Sequence, residues 1–241
     1  MQKVTFQTII IFLAIASAIV ACANQTPSFK EDPTEKVYDL TGFSKIGLGM
    51  HANVYYEQKA EYGVKVVAKE SVIEKITVEV SNNELKIHHK GHGLTNTGRI
   101  DIYISCPNIE GFKISGSGKI IADKPIESTD LEIKVSGSGD VHLNGLKADH
   151  AKFHISGSGN VIIEGDGNIN GAEMHISGSG DVKAESIKIK ELTGKISGSG
   201  NGKFFVTEKL NAKISGSGDM YYRGKPVVDV EVSGSGKIKP L

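Results

Sequence analysis

Aspartate and asparagine recur at nearly even spacing in the second half of the chain, each directly after the tetrapeptide Ser-Gly-Ser-Gly (SGSG). Grouped carboxylates can bind Ca²⁺, or they can act as the acid and base pair of a glycoside hydrolase. Lysine takes the same position in the first and last copies. The residues that follow the seven copies are Lys119, Asp140, Asn160, Asp181, Asn201, Asp219 and Lys237.

The order of these residues favours a solvated ladder over a calcium site, which is the alternative. If the repeats stack about 4.8 Å apart, an Asn between two Asp holds the carboxylates about 9.6 Å apart, which is too far to share one ion. The separation of Asp140 and Asp181 would suit a hydrolase, but a ladder produces such pairs automatically. We therefore predict that the Asp and Asn residues of this column form an interaction surface.

Other groups that could support chemistry are weaker candidates. His154 and His175 lie one repeat apart, but lysines flank them and no third metal ligand is evident. His88, His89 and His92 in "IHHKGHG" are typical of an exposed turn. The SGSG serines lack the G-x-S-x-G form of a hydrolase nucleophile. The sequence therefore predicts no catalytic residue, no bound metal and no cofactor.

Two aromatic residues near the end of the chain alternate away from the buried phase, in "KFFVTE" and "DMYYRG". Phe205 and Tyr221 are the outward members of these pairs. If they stack on adjacent coils, they form a small exposed aromatic patch that suits a sugar or a protein. Burial beneath a terminal loop is the alternative.

A repeating fold must position these residues, since SGSG returns at intervals of 21, 20, 21, 20, 18 and 18 residues. Such a period is typical of a solenoid. Between copies, apolar and polar residues alternate, which predicts strands with one buried face. Three short strands fit into each interval. The pattern predicts an all-β fold, a right-handed parallel β-helix with three-sided coils of about 20 residues.

The alternation keeps its phase across each SGSG, because the flanking apolar residues are six apart, as Val135 and Val141 are. In extended geometry Gly137 and Gly139 then face the interior and the serines face solvent. Glycine suits the corner of a narrow coil that leaves no room for a side chain, and it can also adopt a positive φ where the backbone must bend. We interpret SGSG as a structural corner.

The beginning of the chain is interpreted as an export signal followed by a tether. An apolar run after Lys3 ends in "AIVAC", and small residues before a cysteine at the end of such a run resemble a bacterial lipobox. This predicts that 1–21 is a signal peptide, that Cys22 is acylated, and that 22–36 is a flexible tether. Ordinary signal cleavage beside an incidental cysteine is the alternative.

The remaining residues, 37–241, are predicted to form one domain. Its first part, 37–106, lacks SGSG and is predicted to be an irregular β half continuous with the solenoid, while 107–241 forms the SGSG coils. Acylation of Cys22 leaves Cys106 as the only other cysteine, and its strand-like surroundings predict a small buried side chain rather than a reactive thiol.

Three stretches carry a resemblance to a known family: "FSKIGLGMHANVYYEQ", "IDIYISCPNIEGFKISGSG" and the later copies of ISGSG before Asp or Asn. Over roughly 37–238 the sequence resembles the bacterial lipoproteins called putative auto-transporter adhesin, head GIN domain. The resemblance implies a β-helical, exported envelope protein that is commonly lipid anchored. The family defines no catalytic residues, so none is carried over.

The predicted function is that of a non-enzymatic adhesion or interaction module, lipid anchored to the outer membrane and facing the periplasm or the cell surface. Its partners are the membrane, through the anchor, and a surface glycan or protein. Lys plus Arg and Asp plus Glu number 28 each, so no net charge draws the chain to nucleic acid. A carbohydrate-active enzyme on a β-helix and a passive structural envelope protein are the alternatives.

Overall fold

The computed structural model of the protein describes residues 32–91 and 98–241, and strands dominate it. A single short helix among these residues, α1 (Glu70–Ile73), interrupts them. The strands of the described residues are β1 (Pro33–Tyr38), β2 (Lys45–Leu48), β3 (Asn53–Gln58), β4 (Gly63–Lys69), β5 (Ile76–Ser81), β6 (Glu84–His89), β7 (Asp101–Cys106), β8 (Gly111–Ile114), β9 (Lys119–Ala122), β10 (Ile126–Val135), β11 (Asp140–Ile155), β12 (Val161–Ile176), β13 (Val182–Ile196), β14 (Gly202–Ile214), β15 (Met220–Arg223), β16 (Val227–Val232) and β17 (Ile238–Pro240). Within the described ranges, no helix has the length and apolar character needed to cross a membrane.

The long strands of the SGSG region stack in parallel, each on the strand one repeat earlier. Strands β10 to β14 pair in chain order, so that Ile133, Phe153 and Met174 occupy one register position. The register slips between Asn144 and Leu146, where Gly145 has a φ of +106° and the strand bends. About six turns of solenoid result. The predicted β-solenoid with coils of about 20 residues is confirmed.

The core lies inside the coils and follows from the alternation of apolar and polar residues. The side chain before each of the first six SGSG copies stacks on its counterparts, and these six residues are between 0% and 1% exposed. They are Ile114, Val135, Ile155, Ile176, Ile196 and Ile214. Because no tryptophan is present, aliphatic side chains and a few phenylalanines fill the interior.

Each SGSG copy forms a corner between an incoming and an outgoing strand, and successive corners stack. The backbone amides of Ser158 and Gly159 both donate to the carbonyl oxygen of Gly137 in the preceding coil, at 3.0 and 3.3 Å. Similar pairs of bonds recur at other corners. The tetrapeptide is therefore held by backbone hydrogen bonds between coils and is not a flexible linker.

Close approach of two backbones explains why the corners require glycine. A Cβ on Gly157 or on Gly159 would lie less than 3.0 Å from the carbonyl oxygen of Gly137 or Gly139. None of the motif glycines has a positive φ, so conformational freedom is not the reason. The second glycine of each motif is buried and the first is only partly buried in the inner coils, while their serines are exposed.

The first half continues the solenoid, and its two early glycines, Gly47 and Gly49, do not lie at a corner. Strands β2 and β3 pair in parallel with β8 and β9 and form the first coil. In this register Met50 and Ala52, rather than Gly47 and Gly49, lie at the level of the motif glycines. No SGSG corner precedes this coil, so a side chain can be accommodated there.

Antiparallel strands close the N-terminal end of the solenoid. Strand β4 pairs with β7, β1 adds to β4, and β5 adds to β6. Since β1 begins at Pro33, which lies opposite Lys69, the predicted tether at 22–36 is too long by four residues. The predicted signal peptide, Cys22 and the tether residues before Asp32 lie outside the described residues.

Candidate interaction surface

The column of residues after SGSG forms a hydrogen-bonded ladder on the solvent side of the sheet, and we call these seven residues the ladder. Asp140 Oδ1 accepts from the backbone N–H of Asn160 at 3.0 Å and from its Nδ2 at 2.9 Å. Asp181 Oδ1 accepts the same two bonds from Asn201, at 2.8 and 3.1 Å. The amide oxygens of Asn160 and Asn201 accept from the backbone N–H groups of Asp181 and Asp219.

The alternation of Asp and Asn has a direct chemical reason. A carboxylate only accepts hydrogen bonds, whereas an amide also donates, so each Asn can satisfy the Asp of the preceding coil. Asp219 near the far end accepts from the Tyr221 hydroxyl at 2.9 Å and from the Lys237 backbone N–H at 2.7 Å, and these bonds hold the pKa of Asp219 below its usual value. In the part of the chain that the structure describes, no three His, Cys, Asp or Glu side chains are arranged to hold a metal ion.

The ladder extends further towards the N-terminus than the sequence predicts. Asn53 lies opposite both Asp101 and Lys119, and its Nδ2 donates to Asp101 Oδ1 at 3.1 Å. Arg99 Nε donates to the other oxygen of Asp101 at 2.6 Å. The Asn after "GMHA" is the one sequence signal for this extension, because it stands where other coils carry the residue after SGSG.

A second column runs beside the ladder on the same outward face, and its N-terminal part is apolar and aromatic. We call this part the outer stripe. Each member is two residues after a residue of the ladder or of its N-terminal extension, so its side chain points to the same side of the sheet. Successive pairings place the outer stripe in the order Tyr103, Tyr55, Ile121, His142 and Ile162.

The outer stripe leads into a groove of about 400 Å³ between β1 and β4 on one side and β3, β7 and β9 on the other. We call it the tyrosine groove. The rings of Tyr55 and Tyr103 stack with centroids 5.2 Å apart, and Tyr103 is 44% exposed. Lys65 Nζ lies 5.1 Å from the centre of the Tyr103 ring, and Arg99 donates to the Tyr55 hydroxyl at 3.3 Å.

Ion pairs organise the rim of the tyrosine groove. Glu57 accepts hydrogen bonds from Lys124 and Lys59, and these bonds lower the pKa of its carboxyl group. Lys65 also pairs with Glu35, at 3.0 Å. The groove thus combines aromatic surface with fixed donors and acceptors, a combination that suits a polar ligand with apolar faces.

The structure separates the two aromatic residues that the sequence predicts as a stacked patch. Phe205 lies opposite Arg223, whose guanidinium is 4.3 Å from the ring centre, whereas Tyr221 lies opposite Lys203. Phe205 lies four residues beyond its ladder position, whereas Tyr221 lies two residues beyond its own. The two rings therefore belong to different columns. Both are partly exposed, so the alternative of burial beneath a terminal loop is not observed.

Comparisons with known proteins agree with this architecture. The family model described as "Putative auto-transporter adhesin, head GIN domain" matches residues 42–226. The chain belongs to this family. The description is adhesin-like, which suggests a protein of the cell surface or envelope. No curated protein matches the chain.

Solved structures share the fold of this head GIN domain. A putative adhesin from Bacteroides fragilis is 22% identical, with a TM-score of 0.78, and the match covers 88% of this chain and 98% of that one. A protein from Parabacteroides distasonis, described as a putative lipid binding protein, is 26% identical with a TM-score of 0.72 and the same coverage. A putative adhesin from Parabacteroides merdae is 22% identical, with a TM-score of 0.70, over 88% of this chain and 97% of that one.

The histidines of this head GIN domain do not converge on a site among the described residues. The rings of His154 and His175 lie 5.4 Å apart, and burial lowers the pKa of His154, while Glu132 at 3.7 Å opposes the shift. His88 and His89 lie at the end of β6, and burial lowers the pKa of His89. His92 lies outside the described residues.

Cys106 of the head GIN domain is fully buried, and we expect it to be unreactive in the folded protein. Burial raises the pKa of its thiol, which contacts the Tyr56 hydroxyl, so little thiolate forms at pH 8. Alkylation by iodoacetamide, measured by mass spectrometry of the Cys106 peptide, should be at least about 100-fold slower than that of an exposed Ser138→Cys control. Equal rates would show that the site opens to solvent.

Proposed function

We propose that this head GIN domain is a non-enzymatic adhesion module that is anchored to the outer membrane through acylated Cys22 and binds a surface glycan in the tyrosine groove. The parallel coils give a rigid support, because hydrogen bonds fix each Asp and Asn of the ladder to the next coil. The ladder and the outer stripe occupy one face. A ligand could therefore contact both columns at once.

The stacked tyrosine pair, in which Tyr103 is exposed and Tyr55 is partly buried, is the observation that carries the proposal. Tyr103 is among the few large apolar side chains that are exposed in the described residues, and it lines the groove beside Ile121 and Lys124. Aromatic rings beside fixed hydrogen-bonding groups are typical of sites that orient a ligand. A glycan fits because its C–H faces can contact the rings while its hydroxyls reach Lys124 and Glu57.

Truncation of either tyrosine should weaken glycan binding if the groove is the site. In a glycan array followed by calorimetry on the best glycan, Tyr103→Ala and Tyr55→Ala should each weaken binding at least about tenfold. Tyr221→Ala is the matched control, because it removes the same ring from the far end of the same column, and it should leave affinity unchanged. Failure to bind any glycan, or loss only with Tyr221→Ala, would contradict the proposal.

The location can be tested separately on intact cells. Protease added from outside should remove a surface-displayed protein without lysis, and Cys22→Ser should release the protein from the membrane fraction. Retention of the Cys22→Ser variant in the membrane would contradict the anchor. Full protection from protease would place the module in the periplasm, and this result would exclude adhesion to another cell.

A further inference from the structure

The C-terminal end of the solenoid leaves core positions uncovered. Strand β16 pairs only with β14, and β17 pairs only with β15, so each has one free edge. Three valines of β16 continue the inward columns, yet they remain exposed: Val228 by 39%, Val230 by 44% and Val232 by 44%. The residues directly beneath them are buried, at 0%, 6% and 0% exposed: Leu210, Ala212 and Ile214.

Exposed apolar side chains are concentrated at the C-terminal end of the solenoid. Of the eight large apolar side chains that are exposed in the described residues, five belong to 227–241. A free apolar strand edge is a template for pairing with another strand, and proteins usually cover or charge it. We therefore expect the C-terminal end of the solenoid to be covered by a protein segment that has apolar side chains and a free strand edge.

Charge at this end points to a second copy of the same chain. Two of the three outward residues of β16 are acidic, Asp229 and Glu231, whereas those beside and within β17 are basic, Lys237 and Lys239. Strand β16 runs towards the last SGSG corner and β17 runs away from it. A twofold axis through this corner lays β16 of each copy antiparallel to β17 of the other, so that acidic residues face basic ones.

We propose that the protein forms a twofold-symmetric dimer through its C-terminal end, in which β16 of each copy pairs with β17 of the other and the exposed valines are buried. The other twofold arrangement, with β16 against β16, would place Asp229 and Glu231 opposite acidic residues, which is unfavourable. Each copy uses both of its free strand edges in this twofold pair, so a closed pair forms rather than a fibre.

The dimer goes beyond the proposed function and does not depend on it. The tyrosine groove lies near the opposite end of the solenoid, so two copies joined at their C-terminal ends carry two separate grooves. Two sites on one particle raise the strength of attachment to a surface that displays many ligands.

Sedimentation velocity of residues 33–241, the compact unit that contains the described core, tests the dimer. The wild type should be a dimer at micromolar concentration, and Val230→Glu should weaken it more than about 100-fold. Val37→Glu is the matched control, because Val37 is 73% exposed on β1 at the other end, and it should remain dimeric. A monomeric wild type, or growth into larger oligomers, would overturn the proposal.

Charge exchange tests the arrangement of the two strands without changing the valines. Asp229→Lys and Lys239→Glu should each weaken the dimer, and the double variant should restore it. Circular dichroism verifies that each variant is folded. If Asp229→Lys strengthens the dimer instead, β16 faces β16 and the proposed pairing is wrong.

Discussion

Replacement of Gly159 by alanine is expected to destabilise the protein by at least about 3 kcal/mol, or to prevent folding. The new Cβ would lie less than 3.0 Å from the carbonyl oxygen of Gly139 and from a methyl group of Val135. Neither backbone can move aside, because hydrogen bonds hold both corners in the stack. Chemical denaturation followed by circular dichroism measures the loss.

The control for this variant is Ser158→Ala, one residue away in the same corner. The Ser158 side chain is exposed, so its truncation should change the free energy of unfolding by less than about 0.5 kcal/mol. Gly236→Ala in the last coil should cost less than Gly159→Ala, since the terminal strands can shift outward. If Gly159→Ala and Ser158→Ala unfold at the same denaturant concentration, close approach of the backbones does not explain the motif.

Replacement of Asn160 by aspartate should have the second-largest effect, a loss of about 2 kcal/mol at pH 7. The variant loses the Nδ2 donor to Asp140 and places three carboxylates in consecutive coils. Their repulsion raises the carboxylate pKa values in the folded state above those in the unfolded chain. The folded state then binds more protons, so the deficit should shrink as the pH falls through the raised pKa values.

Asn170→Asp is the matched control for this effect. Asn170 also donates to one aspartate, Asp149, at 2.9 Å, but this hydrogen bond is exposed and lies outside the ladder. The control should cost less than about 0.5 kcal/mol. Thermal unfolding of both variants between pH 4 and pH 8 measures the difference. A deficit of Asn160→Asp that does not change with pH would show that carboxylate repulsion contributes little.

The solenoid could be predicted from sequence because the two patterns that specify it, the alternation of apolar residues and the repeat of SGSG, can be recognised in short stretches of the chain. Alternation with period two marks the buried face of each strand, and an even distance across SGSG preserves that face at every corner. Whether glycine was needed for conformation or for space could not be predicted, since the distance between coils decides it. The structure shows that glycine is needed because the backbone of the preceding coil leaves no space for a side chain. Met50 and Ala52 show that other residues are accepted where no SGSG corner precedes.

The tyrosine groove could not be predicted because stacking order departs from chain order near the N-terminus. Strand β3 lies between β7 and β9, so Tyr55 contacts Tyr103, which comes 48 residues later, and also lies beside Ile121. Alternation places each of these side chains outside, but only the register brings them together. Phe205 and Tyr221 belong to different columns for another reason, since they lie four and two residues beyond their ladder positions.

Disulfide trapping tests most directly the central claim that the SGSG corners stack in register. Ser138 and Ser158 occupy the same place in adjacent coils, about 4.8 Å apart, which suits a disulfide. The double variant Ser138→Cys with Ser158→Cys should oxidise to one intramolecular bond, visible as a mass loss of about two hydrogens. Ser138→Cys with Ser179→Cys, two coils apart, should remain reduced. Equal cross-linking of both pairs, or of neither, would contradict the stacked corners.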